Sequence, residues 1–527
     1  MQEKLSGINT VAMDVETISL KDTTPVGFSL AISPTESFYI TLYPEPDEAM
    51  PWDIICSPAV KKVFHNSLFD LSAMEDYEIY NSNIEDTMLM AMLLGYPAGL
   101  VDLTALLLPG MEVHSMGEYL TPKMTTLDLS VEQVSVKCCQ DSQATFALFE
   151  ELLHLVDLDY YSVEKQLIPI LMKMSSRGLL IDHEVREQLE IQYTEDMNYY
   201  EALCVEAGMM KPGSPQQIGM ILAKRGNMLP LKRKFNERKD KWEMKISTRA
   251  EDLEKLSDPL AAAVIGYKHA RHTLSNYLVP WRSRPRAYTR WHLDAITGRV
   301  SSTSRNLQNI PSPLRSMFLP DNECFTIWDA SQMELRCLAY LSQDKTMLEV
   351  FSHDPESPDG NIHQKTANYL NILKKTAKNV NFAMIYGSSD EGLAETAHIP
   401  SIRRAHQLRE SWFNTYPDAA RFIKLTQDEG WNDGYITTLY GRKIAMPTNL
   451  ESRAAVNRKS INYRIQGSAA EIIKRAMIRC RHLPILLQVH DELIGDGDLS
   501  EEVRSLDLEH MAPLHIPYQL IVSERWT

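Results

Sequence analysis

The chain has 527 residues, 44% hydrophobic and 24% charged, and a formal net charge of −16; these are globular values for about three or four domains, and they exclude a disordered tail or a small disulfide scaffold. No run reaches the ~18–20 apolar residues of a spanning helix, and the N-terminus lacks the charged-then-apolar order of a secretory signal. A cytoplasmic protein without a membrane partner is expected, its seven cysteines (an adjacent pair, Cys138 and Cys139, but no CxxC) reading as reduced thiols.

Charge is uneven along the chain. Residues 1–160 hold 6 Lys+Arg against 25 Asp+Glu, whereas residues 211–315 hold 21 against 8. The second stretch includes LKRKFNERKDKWEMK and WRSRPRAYTRW, positive enough to track a phosphate backbone by counterion release. Up to about Tyr160, strand-length apolar runs (TVAMDVET, FSLAIS, SFYITLY) and helix-like stretches (DTMLMAMLLGY, SQATFALFEELLHLV) predict an α/β domain. From about Ser162 the pattern is helical: VEKQLIPILMKMSSRGLLID, then HEVREQLEIQYTEDMNYYEALCVEA, then SPQQIGMILAKRG with Ser214 as its cap. In the last third, the apolar segments CFTIWDAS and ILLQVHDELIG return with helical sequence between them, so α+β is expected. Asp329 and Asp491 each follow one of these apolar runs, which predicts that they meet on neighbouring strands.

Asp14 and Glu16 are two apart in a predicted strand, so both side chains point to one face and can share a metal. Asn66 and the acids Asp70 in FHNSLFD, Asp86 in EDTM and Asp141 in CCQDSQATF stand further along beside apolar sequence. Carboxylates converging from separate elements suit magnesium and two-metal phosphodiester hydrolysis. The ordered set DxE, NxxFD and a late helical Asp resembles the exonuclease motifs of DnaQ-like proofreading domains, over about residues 8–152. The resemblance implies an RNase H-like fold and two metals held by Asp14, Glu16, Asp70 and Asp141. Lys137 stands where that family usually has a tyrosine that orients the attacking water, so a weakened 3′-5′ exonuclease is expected, with a silent one as the alternative.

Further on come TGRVSSTSRNLQNIP (residues 297–311), DASQMELR (329–336), DGNIHQKTA, KKTAKNVNFAMIYG (374–387), NRKSINYRIQGSAAEIIKRA and QVHDEL (488–493). Lys374, Lys378, Phe382 and Tyr386 recur every four residues, on one helix face. In this order the strings resemble the signature motifs of family A DNA polymerases, from about residue 165 onward. The resemblance implies that Asp329 and Asp491, with the Ala330 carbonyl and Glu492 beside them, hold two Mg²⁺ ions that Mn²⁺ can replace. It further implies dNTP contacts from Gln332, Glu334, His363, Lys374, Lys378, Phe382 and Tyr386, with Glu334 excluding a 2′-hydroxyl. Arg299, Asn309, Arg315, Arg458, Asn462, Gln466, Gln488 and His490 would contact the primer-template.

The expected architecture is multidomain α/β and α+β: an RNase H-like exonuclease domain (1–160) followed by a right-hand polymerase. This has a helical thumb (161–295), an antiparallel-sheet palm (296–345 and 451–527) and helical fingers (346–450). The expected function is DNA-directed DNA synthesis from dNTPs in replication or repair, by a monomer; a single-subunit RNA polymerase is the rival that Glu334 opposes. The short stretch before Asp14 leaves no room for a 5′ nuclease domain, so the architecture is expected to resemble that of phage polymerases or of a truncated bacterial one, with any clamp, helicase or primase a separate protein.

Overall fold

The computed structural model describes every residue except 1, 6, 48, 49, 78, 80–82, 237–240, 356 and 527. The chain divides into two compact units: Met1–Arg177 with Thr289–Thr303 and Thr326–Val522, and Gly178–Tyr288 with Ser304–Phe325 and Ser523–Thr527. Among the described residues no helix is long and apolar enough to cross a membrane, and the seven cysteines are free thiols.

In the first unit, β1 (Thr10–Thr17), β2 (Pro25–Ser33), β3 (Glu36–Thr41), β4 (Lys61–Phe64) and β5 (Asn83–Asp86) form a sheet of order β3-β2-β1-β4-β5. β1 pairs antiparallel with β2, setting Asp14 opposite Ser29, and parallel with β4. Short helices α1 (Ser67–Ala73) and α2 (Thr87–Leu93) follow β4 and β5, and α3 (Val131–Leu153) crosses the sheet. A reciprocal pair starts α3: the Gln133 N–H donates to Ser130 Oγ at 3.2 Å, and Gln133 Oε1 accepts from the Ser130 N–H at 3.0 Å. Val134, Cys138, Ala144, Leu148 and Leu152 form its buried stripe. Ser29 Oγ donates to the Cys138 carbonyl at 2.7 Å, and Cys138 Sγ donates to the Asp14 carbonyl at 3.3 Å. These two bonds fasten α3 across β1 at the level of the acidic residues.

Helix α4 (Leu158–Lys165) joins this sheet to the rest of the unit. On one side Tyr161 Oη accepts the Asp86 N–H at 2.8 Å. On the other, Tyr160 Oη donates to Glu471 at 2.7 Å and the buried Glu164 pairs with buried Lys474 at 2.6 Å. Later in the unit β6 (Phe325–Ala330) leads into α5 (Met333–Ser342), followed by α6 (Ile362–Leu370), α7 (Lys374–Ile385) and the long α8 (Arg453–Arg479). Strands β7 (Ile485–Val489), β8 (Glu492–Asp496) and β9 (Tyr518–Ser523) complete a sheet of order β7-β8-β6-β9. Side chains on both of its faces are buried, Phe325, Ile327, Trp328, Leu487, Val489 and Leu493 among them. Gly387 ends α7 with φ +62°, and a Cβ there would meet the Arg458 Cα at 3.0 Å, so only glycine lets α7 approach α8 this closely.

The second unit is mainly helical, around His183–Glu206 and Pro259–Thr273, with Cys204, Leu222, Leu253 and Val264 in its core. Ser214 caps Pro215–Lys224 by accepting the Gln217 N–H. Two stretches depart from the expected helical pattern. The helix ending at Arg177 stops because Gly178 is left-handed (φ +57°), and Leu179–Ile181 becomes the middle strand of a three-stranded sheet. The basic run also forms a two-stranded ladder, Leu231–Asn236 against Lys241–Ile246, its tip lying outside the described residues. The alternation Trp242, Met244, Ile246 carries that strand period.

Candidate active sites

The first cluster is built on β1. Asp14 and Glu16 lie on one face of the strand, and a carboxylate oxygen of each and the Cys138 Sγ lie within 4.8 Å of one another. Asp70 comes from α1, where its Oδ1 accepts the Val15 N–H at 3.1 Å. Asp141 comes from α3, and so does Lys137 one turn earlier. The Lys137 ammonium, buried to 6% exposure, forms a short ion pair with Asp141 Oδ2 and lies 3.7 Å from Glu16 Oε1. Asp141 Oδ1 is buried without a hydrogen-bond partner.

Burial dominates the electrostatics here. With help from Glu16 it raises the Asp14 carboxyl to about 7. It raises Glu16 and Asp141 to about 7 against the opposing charge of Lys137, and, with Asp14, it holds Asp70 well above the usual carboxylate range. Burial would lower Lys137, yet Asp141, Asp14 and Glu16 outweigh it and raise the amine, so it stays an ammonium. Burial, then Asp14 and Glu16, also push the Cys138 thiol up, leaving it a donor. Four carboxylates with one unpartnered oxygen are a donor set fit for a hard divalent cation.

Asp86 does not belong to this set. Its carboxylate accepts the Asn66, Ser67, Met88 and Leu89 N–H groups and the Ser67 hydroxyl, so it caps α2 and anchors the start of α1. Its sequence setting beside an apolar run is the same as that of the others; only the fold distinguishes them.

The second cluster lies at one end of the β7-β8-β6-β9 sheet. Asp329 is the penultimate residue of β6, exposed at a cleft of about 410 Å³ lined also by Ser331, Gln332, Pro355, Pro517 and Tyr518. Asp491 is not on a strand, as the apolar run before it had suggested. With His490 it forms the two-residue turn between β7 and β8, whose pairing closes at Val489 and Glu492. Such turns need a positive φ, which His490 supplies at +54°. The Asp491 carbonyl accepts the Ala330 N–H at 3.0 Å, which ties the turn to the end of β6 beside Asp329. Desolvation raises Asp329, and desolvation plus Glu334 and Asp329 raise Asp491 to about 7 against the lowering effect of Arg299. Gln332 takes φ +54° just ahead of α5, its buried Oε1 unpartnered; strain of this kind concentrates at functional positions.

Glu334, buried at the start of α5, pairs with Arg299 and accepts the Tyr386 hydroxyl at 3.1 Å. Tyr386 stacks on Phe382 (ring centroids 6.0 Å apart), and Phe382 lies 5.8 Å from His363. Lys374 and Lys378 are exposed on the same helix. Burial and the two lysines push His363 down to about 4, so its ring is neutral. Asn381 fixes the tautomer: its Oδ1 accepts from Thr366 Oγ1 (3.1 Å) and Trp412 Nε1 (2.8 Å), so its amide nitrogen faces His363 Nδ1 at 3.0 Å as a donor. Nε2 of His363 therefore carries the proton. Asn381 and Trp412 escaped the sequence reading, although a buried asparagine among Ala377, Val380 and Met384 is the kind of interruption that signals such a role.

The remaining predicted contacts separate. Arg458, Asn462 and Gln466 share one face of α8, and Asn462 Oδ1 is buried without a partner. Gln488 Nε2 donates to the His490 carbonyl, and Glu492 opens β8. Asn309 and Arg315 belong to the other unit; there the Asn309 carbonyl accepts the Tyr277 hydroxyl at 3.2 Å, and Arg315 stacks over Trp526 at 4.6 Å.

Residues 1–157 match a 3′-5′ exonuclease family, and residues 183–518 match DNA polymerase family A. The chain is 31% identical to DNA polymerase I of Chloroflexus aurantiacus, over 94% of this chain and 58% of that protein. It is 27% identical to DNA polymerase I of Pseudomonas aeruginosa, over 95% of this chain and 61% of that protein. It thus spans about three-fifths of the length of these curated relatives, which are bacterial and lend no support to a phage-type likeness. The POL domain of Pol1 from M. smegmatis, solved in complex with DNA primer-template and dNTP, matches with a TM-score of 0.79 and 25% identity over 99% of this chain and 97% of that one. With the sheet-end carboxylates, the α7 face and the N-terminal acidic cluster all within these matches, the chain belongs to DNA polymerase family A.

Proposed function

We propose that this chain is a DNA-directed DNA polymerase that extends a primer 3′ end from dNTPs and carries a slow 3′-5′ exonuclease. The observation that carries the reading is the meeting of Asp329 and Asp491 through the Ala330–Asp491 backbone bond, beside the Glu334–Tyr386–Phe382–His363 wall. Two Mg²⁺ ions held by Asp329, Asp491 and the Ala330 carbonyl, with Glu492 alongside, would lower the pKa of the primer hydroxyl and neutralise triphosphate charge. Exposed Lys374 and Lys378 meet phosphates, and His363 donates from Nε2 to another, while Phe382 and Tyr386 stack near sugar and base. Glu334, held by Arg299 and Tyr386, fills the space a 2′-hydroxyl needs, and Gln332 flanks it. Arg458, Asn462, Gln466, Gln488, His490 and Arg299 serve the primer-template on the first unit; Asn309 and Arg315 serve it on the second.

In this reading residues 1–160 are the exonuclease domain, 161–295 the thumb, 296–345 and 451–527 the palm and 346–450 the fingers. The basic, largely helical second unit supports a thumb that holds duplex backbone without reading sequence. Asp14, Glu16, Asp70 and Asp141 bind the divalent metal of the exonuclease, and the enzyme works as a cytoplasmic monomer. Incubating an end-labelled primer-template with Mg²⁺, with and without dNTPs, tests both activities on one gel; absence of extension with all four dNTPs refutes the polymerase reading.

A further inference from the structure

The N-terminal cluster differs from an ordinary carboxylate metal site in one respect: it already contains a cation. Lys137 reaches it from the buried side of α3, pairs with Asp141 Oδ2 and lies 3.7 Å from Glu16 Oε1. At 6% exposure its ammonium cannot satisfy itself with bulk water, so the carboxylates are its solvation. Asp14 and Asp70 form no ion pair with it, and Asp141 Oδ1 remains without a hydrogen-bond partner. Ionised, as ligands of a divalent ion are, four carboxylates match the charge of two such ions. With one ammonium among them, three negative charges remain, enough for one divalent ion and too few for two. A second ion beside Glu16 and Asp141 would also sit against the ammonium at short range, where like charges in a buried site repel strongly.

We propose that Lys137 is the resident cation of this cluster and limits it to a single divalent ion, held on the Asp14–Asp70 side. This rests on the reading of the cluster as a metal site. Lys137 then acts as a positioning and selectivity residue: it orients Glu16 and Asp141 and determines how many metals enter.

The test is Mn²⁺ binding followed by electron paramagnetic resonance on the full chain carrying Asp329→Asn and Asp491→Asn, so that bound Mn²⁺ reports the N-terminal cluster. The expected result is one Mn²⁺ per chain with Lys137 and with Lys137→Arg, and two with Lys137→Met. Adding Asp141→Ala to Lys137→Met should return the count to one. A second readout is thermal unfolding: Lys137→Met should melt lower in EDTA and gain more from Mn²⁺ than the lysine protein does. Equal counts for Lys137 and Lys137→Met would overturn the proposal while leaving the metal-site reading intact. Absence of Mn²⁺ from both would overturn the metal-site reading and the proposal with it. If Lys137→Met does not fold, Lys137→Arg decides, since a second Mn²⁺ bound beside an arginine refutes exclusion by charge.

Discussion

The two carboxylate clusters of the first unit invite comparison because they present similar acids with different counter-charges and different access. At the N-terminal cluster Asp70 and Asp141 are buried and Asp14 and Glu16 half-buried, and Lys137 neutralises part of their charge from within. At the sheet end, Asp329 is exposed at a cleft, and the cation whose charge acts on Asp491, Arg299, is itself engaged with Glu334. A site that carries its own ammonium has part of its repulsion already offset and takes metal reluctantly. A site with one acid, Asp329, at an open cleft and no lysine paired with its aspartates among the described residues is left to be completed by ions that arrive with substrate. The difference predicts a strong polymerase and a weak exonuclease on one compact unit.

The largest expected effect tests the open site. Asp329→Ala or Asp491→Ala should reduce primer extension by ~10³-fold or more, the scale on which single metal or transition-state contacts act, while primer shortening persists. Substantial extension by either variant, measured with an end-labelled primer, would remove the contrast between the sites.

The next effect concerns the link between them. Glu164 and Lys474 form a buried pair between α4 and α8. Lys474→Ala should destabilise the protein by about 3–5 kcal/mol, because it strands a buried carboxylate. Replacing both partners, as in Glu164→Leu with Lys474→Met, should recover most of that loss. Chemical denaturation of the two variants checks it, and equal losses would show that the pair itself, rather than the stranded charge, matters.

Glu334→Ala should lower the preference for dNTP over rNTP, read as the ratio of kcat/KM values, by roughly 10–200-fold, the range for a steric pocket contact. An unchanged ratio would locate sugar selection elsewhere. Lys137→Tyr should accelerate single-turnover cleavage of single-stranded DNA about 10-fold, below the ~10²–10⁴-fold of a positioned proton-transfer group because hydrogen-bonding the water is a weaker role. A wild type faster than both Lys137→Tyr and Lys137→Ala would mean that the lysine aids cleavage.

The smallest effect is in pH. Asp14, Glu16 and Asp141 are raised to about 7 in the folded chain, so the folded state binds protons more tightly than the unfolded one. Without metal, their contribution to stability is therefore most favourable at low pH and falls between about pH 4 and 7 as the acids ionise against one another. Divalent ions reverse this penalty, so the rise in Tm on adding Mg²⁺ should be larger at pH 8 than at pH 5.5. A rise independent of pH, followed by thermal unfolding, would detach metal uptake from these carboxylates.

Much was legible in the chain itself. The β1 spacing of Asp14 and Glu16, the four-residue period of Lys374 to Tyr386, and the capping at Ser214 follow from strand and helix geometry, which acts over a few residues and so is written in local order. Tertiary structure decided what depends on residues distant in sequence. Asp86 and Asp70 look alike in the chain, yet five donors from two segments make Asp86 a cap, while Asp70 is turned to β1. The apolar run before Asp491 predicts a strand there, yet it lies in a turn, because the hairpin closes where Val489 pairs with Glu492. The neutral His363 depends on Asn381, whose orientation in turn depends on Trp412, 31 residues away. Lys137 was visible as an oddity at its position. That it is a buried counter-ion depends on β1 lying under α3, since a charge acquires its meaning from the charges and solvent around it, and folding sets both.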